Sequence, residues 1–154
     1  MPEQLPRNTC EITVGCLMEI RVAASYRCVA DVDHMIDMMN LCFDRLKPGD
    51  RVVIAADWRA VSVMSPDTAA RAREMLAGCN PRVLRSSILV QPDSAMTGLQ
   101  VLRLVREAEN DHRRHFTSAA AQCEWLSDVL DVREMARVRR FLGEHSMLRT
   151  SLTP

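Results

Sequence analysis

The alternation of apolar and polar positions divides this chain into strands and helices in a regular order. Residues 11–14 and 19–23 alternate with a period of two on either side of Gly15 to Met18. That pattern predicts an antiparallel hairpin with Glu19 and Arg21 facing outward and Ile20 and Val22 inward. After Ser25 the period changes: Val32, Met35, Ile36, Met39, Cys42, Phe43 and Leu46 recur at steps of three and four. This is the spacing of an amphipathic helix, with Asp31 as its N-cap and Pro48-Gly49-Asp50 as its stop. Residues 52–56 form an unbroken apolar run, the signature of a central strand covered on both faces. Ser65 as N-cap, Pro66 at the first helical position and Asp67 in the first turn then start a helix lined by Ala69, Ala72, Leu76 and Cys79. Asn80-Pro81 closes it.

The next strand, 83–90, carries Arg85, Ser86 and Ser87 in its middle, which predicts greater exposure and a place nearer a sheet edge. A long helix follows from Ser94 to about His112. Its apolar set is Met96, Leu99, Leu102, Val105 and Ala108, widened by Val101 and Leu104, so it is expected to pack on the sheet and on something else. His115-Phe116-Thr117 adds a short strand, and Thr117 or Ser118 caps a helix through Trp125, Leu126 and Val129. Asp131 and Glu134 have the spacing of a capping box, opening a last helix, about 131–145, with Met135, Val138, Phe141 and Leu142 on one side. That side covers either the domain's own sheet or a second copy of the chain. The tail, 146–154, is expected to fray.

Length and charge narrow the classes. A chain of 154 residues holds one domain, 1–154, with a substantial core. Lys+Arg and Asp+Glu are 20 each, and Lys47 is the only lysine. This balance supplies no overall field for nucleic acid or an anionic membrane. With no leader pattern and no apolar run of membrane length, the sequence predicts a soluble, cytoplasmic protein without membrane insertion. The six cysteines include no C-x-x-C pair, as expected of reduced thiols used as small apolar residues.

Candidate chemistry concentrates where the central strand runs through Asp57-Trp58-Arg59 toward Ser65-Pro66-Asp67-Thr68. In an open α/β sheet, binding sites form at such junctions. The junction lacks a Gly-rich phosphate loop and a nucleophile elbow, so no catalytic residue and no cofactor is assigned. Ser65 has the position of a phosphate acceptor at a helix N-terminus, against its ordinary role as N-cap. Asp57 and Arg59 are placed to bind a polar ligand or partner, or to pin the loop. His112 and His115, beside Glu109 and Asp111, lack the H-E-x-x-H pattern, and no metal site is assigned. Met35, Met38, Met39 and Met64 fit either core filling or a deformable apolar groove. Arg133, Arg137, Arg139 and Arg140 give the last helix a basic polar side, read as solvated.

In this order of elements the chain resembles the STAS superfamily, specifically the SpoIIAA-like (STAS/Sec14-like) group of bacterial proteins. The residues that carry the resemblance are the strand ending in Asp57-Trp58-Arg59, the Ser65-Pro66-Asp67 helix entry, the Ala- and Arg-rich long helix, and Phe116-Thr117-Ser118 with Trp125-Leu126. They span about 12–130 and leave the last helix as an addition. The resemblance implies an α/β fold, a small mixed sheet with helices largely on one face. It also implies a non-enzymatic regulatory module that binds another protein, as a homodimer. The partner surface would comprise Asp57, Trp58, Arg59, Met64, Ser65, Asp67 and Thr68. In the group's anti-sigma factor antagonists a serine at this helix start is phosphorylated; here Pro66 stands about there, with Ser65, Thr68 and Ser62 nearby. Gln122 also stands where the group carries a small alanine. The alternative function is a carrier or sensor of a small apolar ligand or lipid, held between the Ser94 helix and the sheet.

Overall fold

The computed structural model describes residues 5–150, and the side chains of 5–144. Five strands and five α-helices alternate along it: β1 (Asn8–Ile12), β2 (Leu17–Val22), α1 (Val29–Asp44), β3 (Val52–Asp57), α2 (Pro66–Gly78), β4 (Val83–Leu89), α3 (Ala95–Glu107), β5 (Arg113–Phe116), α4 (Ala119–Leu126) and α5 (Val132–Thr150). The strands form one mixed sheet in the order β1-β2-β3-β4-β5, in which β1 is antiparallel to β2 and the remaining pairs are parallel. Each parallel crossover steps in the same direction. Right-handed crossovers of that kind put α1, α2 and α3 on one face.

Two cores result. Met35 and Met39 of α1, Leu76 of α2 and Val101 and Leu104 of α3 bury the face carrying Met18, Ile20, Ile54 and Ile88. Leu126 of α4 and Met135, Val138, Phe141 and Leu142 of α5 bury the other, against Leu17, Val53, Ala55 and Leu89. The last helix therefore covers its own sheet. Strand β3 sits in the middle with every residue buried, as its unbroken apolar run predicts.

Several expectations are corrected by this second layer. Glu19 and Arg21, assigned to solvent by alternation, are only 3% and 9% exposed, because α5 lies over that face. Ser86 and Ser87 are buried as well: Ser87 Oγ donates to the Ile54 carbonyl (2.9 Å), and Arg113 Nε donates to Ser86 Oγ (3.4 Å). Strand β4 does lie nearer an edge than β3, second to β5, so only its expected exposure is corrected. Helix α3 stops at Glu107, with Ala108 as its C-cap and Glu109 at φ 49°, so His112 is not helical. Its buried stripe is Thr97, Val101, Leu104 and Ala108, leaving Met96 and Leu99 exposed at 68% and 65%. The buried stripe is shifted in phase from the expected one and passes through Thr97, whose Oγ1 accepts from Ser94 Oγ (2.9 Å). Helix α1 begins earlier than expected, at N-cap Cys28, while the Asp31 carboxylate accepts the Arg27 amide. Residues 146–150, expected to fray, continue α5; 151–154 lie outside the described residues. Among the described residues, no helix is long and apolar enough to cross a membrane.

The start of α5 is the predicted capping box. Glu134 N donates to Asp131 Oδ1 (2.8 Å), and Asp131 N donates to Glu134 Oε1 (3.0 Å). The other oxygen, Glu134 Oε2, accepts the Cys16 amide (3.1 Å), which ties the hairpin turn to the helix. Gly15 makes this approach possible. Its φ is +54°, and a Cβ there would lie 2.5 Å from Glu134 Oε2. Gly15→Ala should therefore lower unfolding stability by about 1–3 kcal/mol in urea titrations. Gly78→Ala, in open space on α2, should instead raise it by about 0.5–1 kcal/mol; equal effects at the two positions would contradict this account of the turn.

Candidate functional site

Register alone places Arg21 opposite Asp57 on the face that α5 covers. Arg21 Nη1 donates to Asp57 Oδ2 (2.8 Å), and its Nη2 donates to the Phe141 carbonyl of α5. The guanidinium also lies 4.3 Å from the centre of the Phe141 ring. Arg59, two residues beyond the strand end, returns to the same carboxylate: Nε donates to Oδ1 (2.9 Å) and Nη2 to Oδ2 (3.0 Å). Its Nη2 also donates to the Leu142 carbonyl (2.8 Å). One buried carboxylate thus orients two guanidiniums, and both hold the backbone of α5. Burial lowers the Arg21 pKa while Asp57 raises it, and a guanidinium remains charged in either case.

A second pair lies beside the first. Glu19 accepts from Arg137 Nη2 (2.6 Å) and Nε (2.9 Å) and from Thr13 Oγ1 (2.6 Å). Arg137 reaches on to Glu144 (3.4 Å). Because Arg137 turns inward, the basic side of α5 that remains exposed is Arg133, Arg139 and Arg140.

This geometry redistributes the expected partner surface. Asp57, Trp58, Met64 and Thr68 are buried and present no side chain to a partner. Trp58 packs edge-on against Tyr26, with ring centroids 5.5 Å apart. Met64 is held through its backbone: its amide donates to Gln100 Oε1 (2.8 Å), and Gln100 Nε2 donates to its carbonyl (2.9 Å). Thr68 Oγ1 accepts from Ser65 Oγ (3.0 Å). Ser62, Ser65 and Asp67 stay exposed, and Arg59 is half-buried. Ser65 is the N-cap of α2, as predicted, its Oγ accepting the Thr68 amide. Of the three phospho-acceptor candidates, the hydroxyls of Ser62 and Ser65 are accessible and that of Thr68 is not.

The monotonic strand order has no reversal, so β3 does not end at a topological switch point. Nor do the histidines approach Asp57. His112 precedes β5 at the opposite end of the parallel strands, four residues before the level of Asp57 and about 13 Å along the sheet at 3.3 Å per residue. His115 pairs with Ile88 on the opposite face of the sheet. Among the described residues, no group of three His, Cys, Asp or Glu side chains could hold a metal. Met35, Met39 and Met64 belong to the core, with Met38 packed against it.

Four features escaped the sequence reading. Arg113, just past the expected end of α3, is buried and caps α2, donating to the Leu76 carbonyl (3.0 Å) and Asn80 Oδ1 (2.9 Å). Gln122 is buried beneath α4, its Nε2 donating to Ser87 Oγ (2.8 Å). Val63 joins Met96 and Leu99 as a large exposed apolar residue, 51% exposed, next to the Gln100–Met64 clamp. Arg59 and Arg139 share a groove between α4 and α5. Long-range polar partners of this kind leave no periodic trace in a sequence, whereas the exposed apolar positions could have been found by drawing α3's stripe through Thr97. Protein-family models, curated proteins and solved structures were compared with the chain, and none matches it.

Breaking a buried ion pair from one side leaves the other charge uncompensated. Asp57→Asn should therefore cost about 3–5 kcal/mol of unfolding stability, whereas the apolar double replacement Arg21→Met with Asp57→Leu should cost less than Asp57→Asn alone. The reverse ranking in urea titrations would refute the clasp. The thiols give a second check. Burial raises the pKa values of Cys10 and Cys79, which lowers their thiolate fraction at neutral pH, while Cys28 is exposed. An alkylating reagent followed by mass spectrometry should mark Cys28 first in the native protein, and Cys10 and Cys79 only after unfolding.

Proposed function

We propose that this chain is a STAS-like, SpoIIAA-like regulatory module that binds a partner protein without catalysing a reaction. The proposed surface comprises the loop after β3, the start of α2 and the outer side of α3's first turns. Its anchors are Val63, Met96 and Leu99, and its polar margin is Ser62, Ser65 and Asp67.

The observation that carries this reading is the clamp of Gln100 on both backbone groups of Met64. It joins the loop to α3; Val63 adjoins the clamped Met64, Leu99 adjoins Gln100 and Met96 lies one turn before it, and all three side chains are exposed. A rigid apolar centre within a polar margin has the composition of a non-obligate protein interface. The resemblance is supported at the level of architecture, by a mixed sheet whose first three helices lie on one face. It departs in α4 and α5, which cover the other face. The engagement of Asp57 and Arg59 in structural bonds favours binding over catalysis. The space between α3 and the sheet, filled by Val101, Leu104 and Ala108 against Ile88 and Val90, favours a protein partner over a carried lipid.

Val63→Asp combined with Leu99→Asp should abolish capture of a reproducible partner from the native host while leaving the circular dichroism spectrum and the urea midpoint unchanged. Capture of the same partner by both proteins would refute this surface. Light scattering on the same pair assigns the homodimer: a dimer that becomes a monomer in the double variant makes a second copy the occupant.

A further inference from the structure

We propose that the groove between α4 and α5 binds a phosphoryl group. This site lies on the sheet face opposite α3 and is independent of the partner-binding reading. The groove is open to solvent and offers about 590 Å³, comparable in volume to small-molecule sites of roughly 300–1,000 Å³. Ala119, Ala120 and Gly143 keep its walls low, and Arg59 and Arg139 supply its cations.

The two arginines are complementary in how they are held. A guanidinium has five N–H donors. In Arg59, Nε and both Nη2 hydrogens go to Asp57 and the Leu142 carbonyl. Both Nη1 hydrogens are left without an acceptor among the described residues, on a side chain locked in place. Arg139 is exposed and forms no ion pair among the described residues. One fixed donor pair and one free guanidinium suit an anion with several oxygens, which a phosphoryl group supplies and a single carboxylate supplies less well. Ala119 and Ala120, in the first turn of α4, line the same wall at the positive end of that helix's dipole. Glu124 is the opposing charge on the groove. It would keep the site weak and selective for ligands of more than one negative charge.

Isothermal calorimetry of the full chain with inorganic pyrophosphate should detect binding that weakens about tenfold in Arg139→Gln, the loss of one charge-assisted contact, and tightens in Glu124→Gln. Both changes are at exposed positions, so folding is preserved. Co-sedimentation with phosphatidylcholine vesicles containing phosphatidic acid, against pure phosphatidylcholine, identifies the source of the group. Retention on the acidic vesicles that is lost in Arg139→Gln assigns a lipid headgroup, and pyrophosphate binding without retention assigns a soluble phosphate ester. Binding of neither probe, or binding indifferent to Arg139→Gln, overturns the proposal.

Discussion

Asp57 is the constraint on which the molecule turns. A carboxylate at the end of a central strand cannot be left alone in a dry interior, and here its oxygens accept from Arg21 on β2 and from Arg59 beyond the strand. Each guanidinium retains hydrogens after this pairing and uses them on the backbone of α5, at Phe141 and Leu142. Sheet and last helix are joined through charge as well as through apolar contact. Glu19 and Arg137 repeat the arrangement one step along β2. A face carrying Glu19, Arg21, Asp57, Arg85 and Ser87 would otherwise require water. The C-terminal helices therefore complete the sheet, and their orientation on it is specified by directional bonds that an apolar face would not impose.

The same constraint explains where functional surfaces can lie. The residues with the most chemistry at the end of β3 are already engaged in holding the fold. What remains available lies on either side of them: an apolar patch fixed by Gln100 on the α3 side, and the unused donors of Arg59 with Arg139 on the α5 side. Ser65, which caps α2 and stays exposed, belongs to the first of these.

The sequence was legible where structure follows local rules. The apolar run of β3, the Ser65-Pro66-Asp67 start of α2 and the Asp131–Glu134 capping box are each determined within a few residues, and each is where the pattern predicts. It was misleading where a distant segment decides the outcome. Alternation puts Glu19 and Arg21 on a different face from Ile20 and Val22, and that is correct; whether the face is wet depends on a helix more than a hundred residues later. Asp57, Trp58, Met64 and Thr68, which the resemblance places on a partner surface, are buried, covered by Tyr26, Gln100 and α5. Arg113 is a buried cap on α2, and nothing near it in sequence reveals the end of α2 beside it.

Native-state hydrogen exchange on the unmodified chain tests this account most directly, because it reads the attachment of α5 without disturbing it. If the Asp57 clasp makes α5 part of the sheet's cooperative unit, the amides of 135–142 should exchange with the same free energy and denaturant dependence as those of β3, through global unfolding. Exchange of the α5 amides through a separate opening of lower free energy, with β3 still protected, would contradict it.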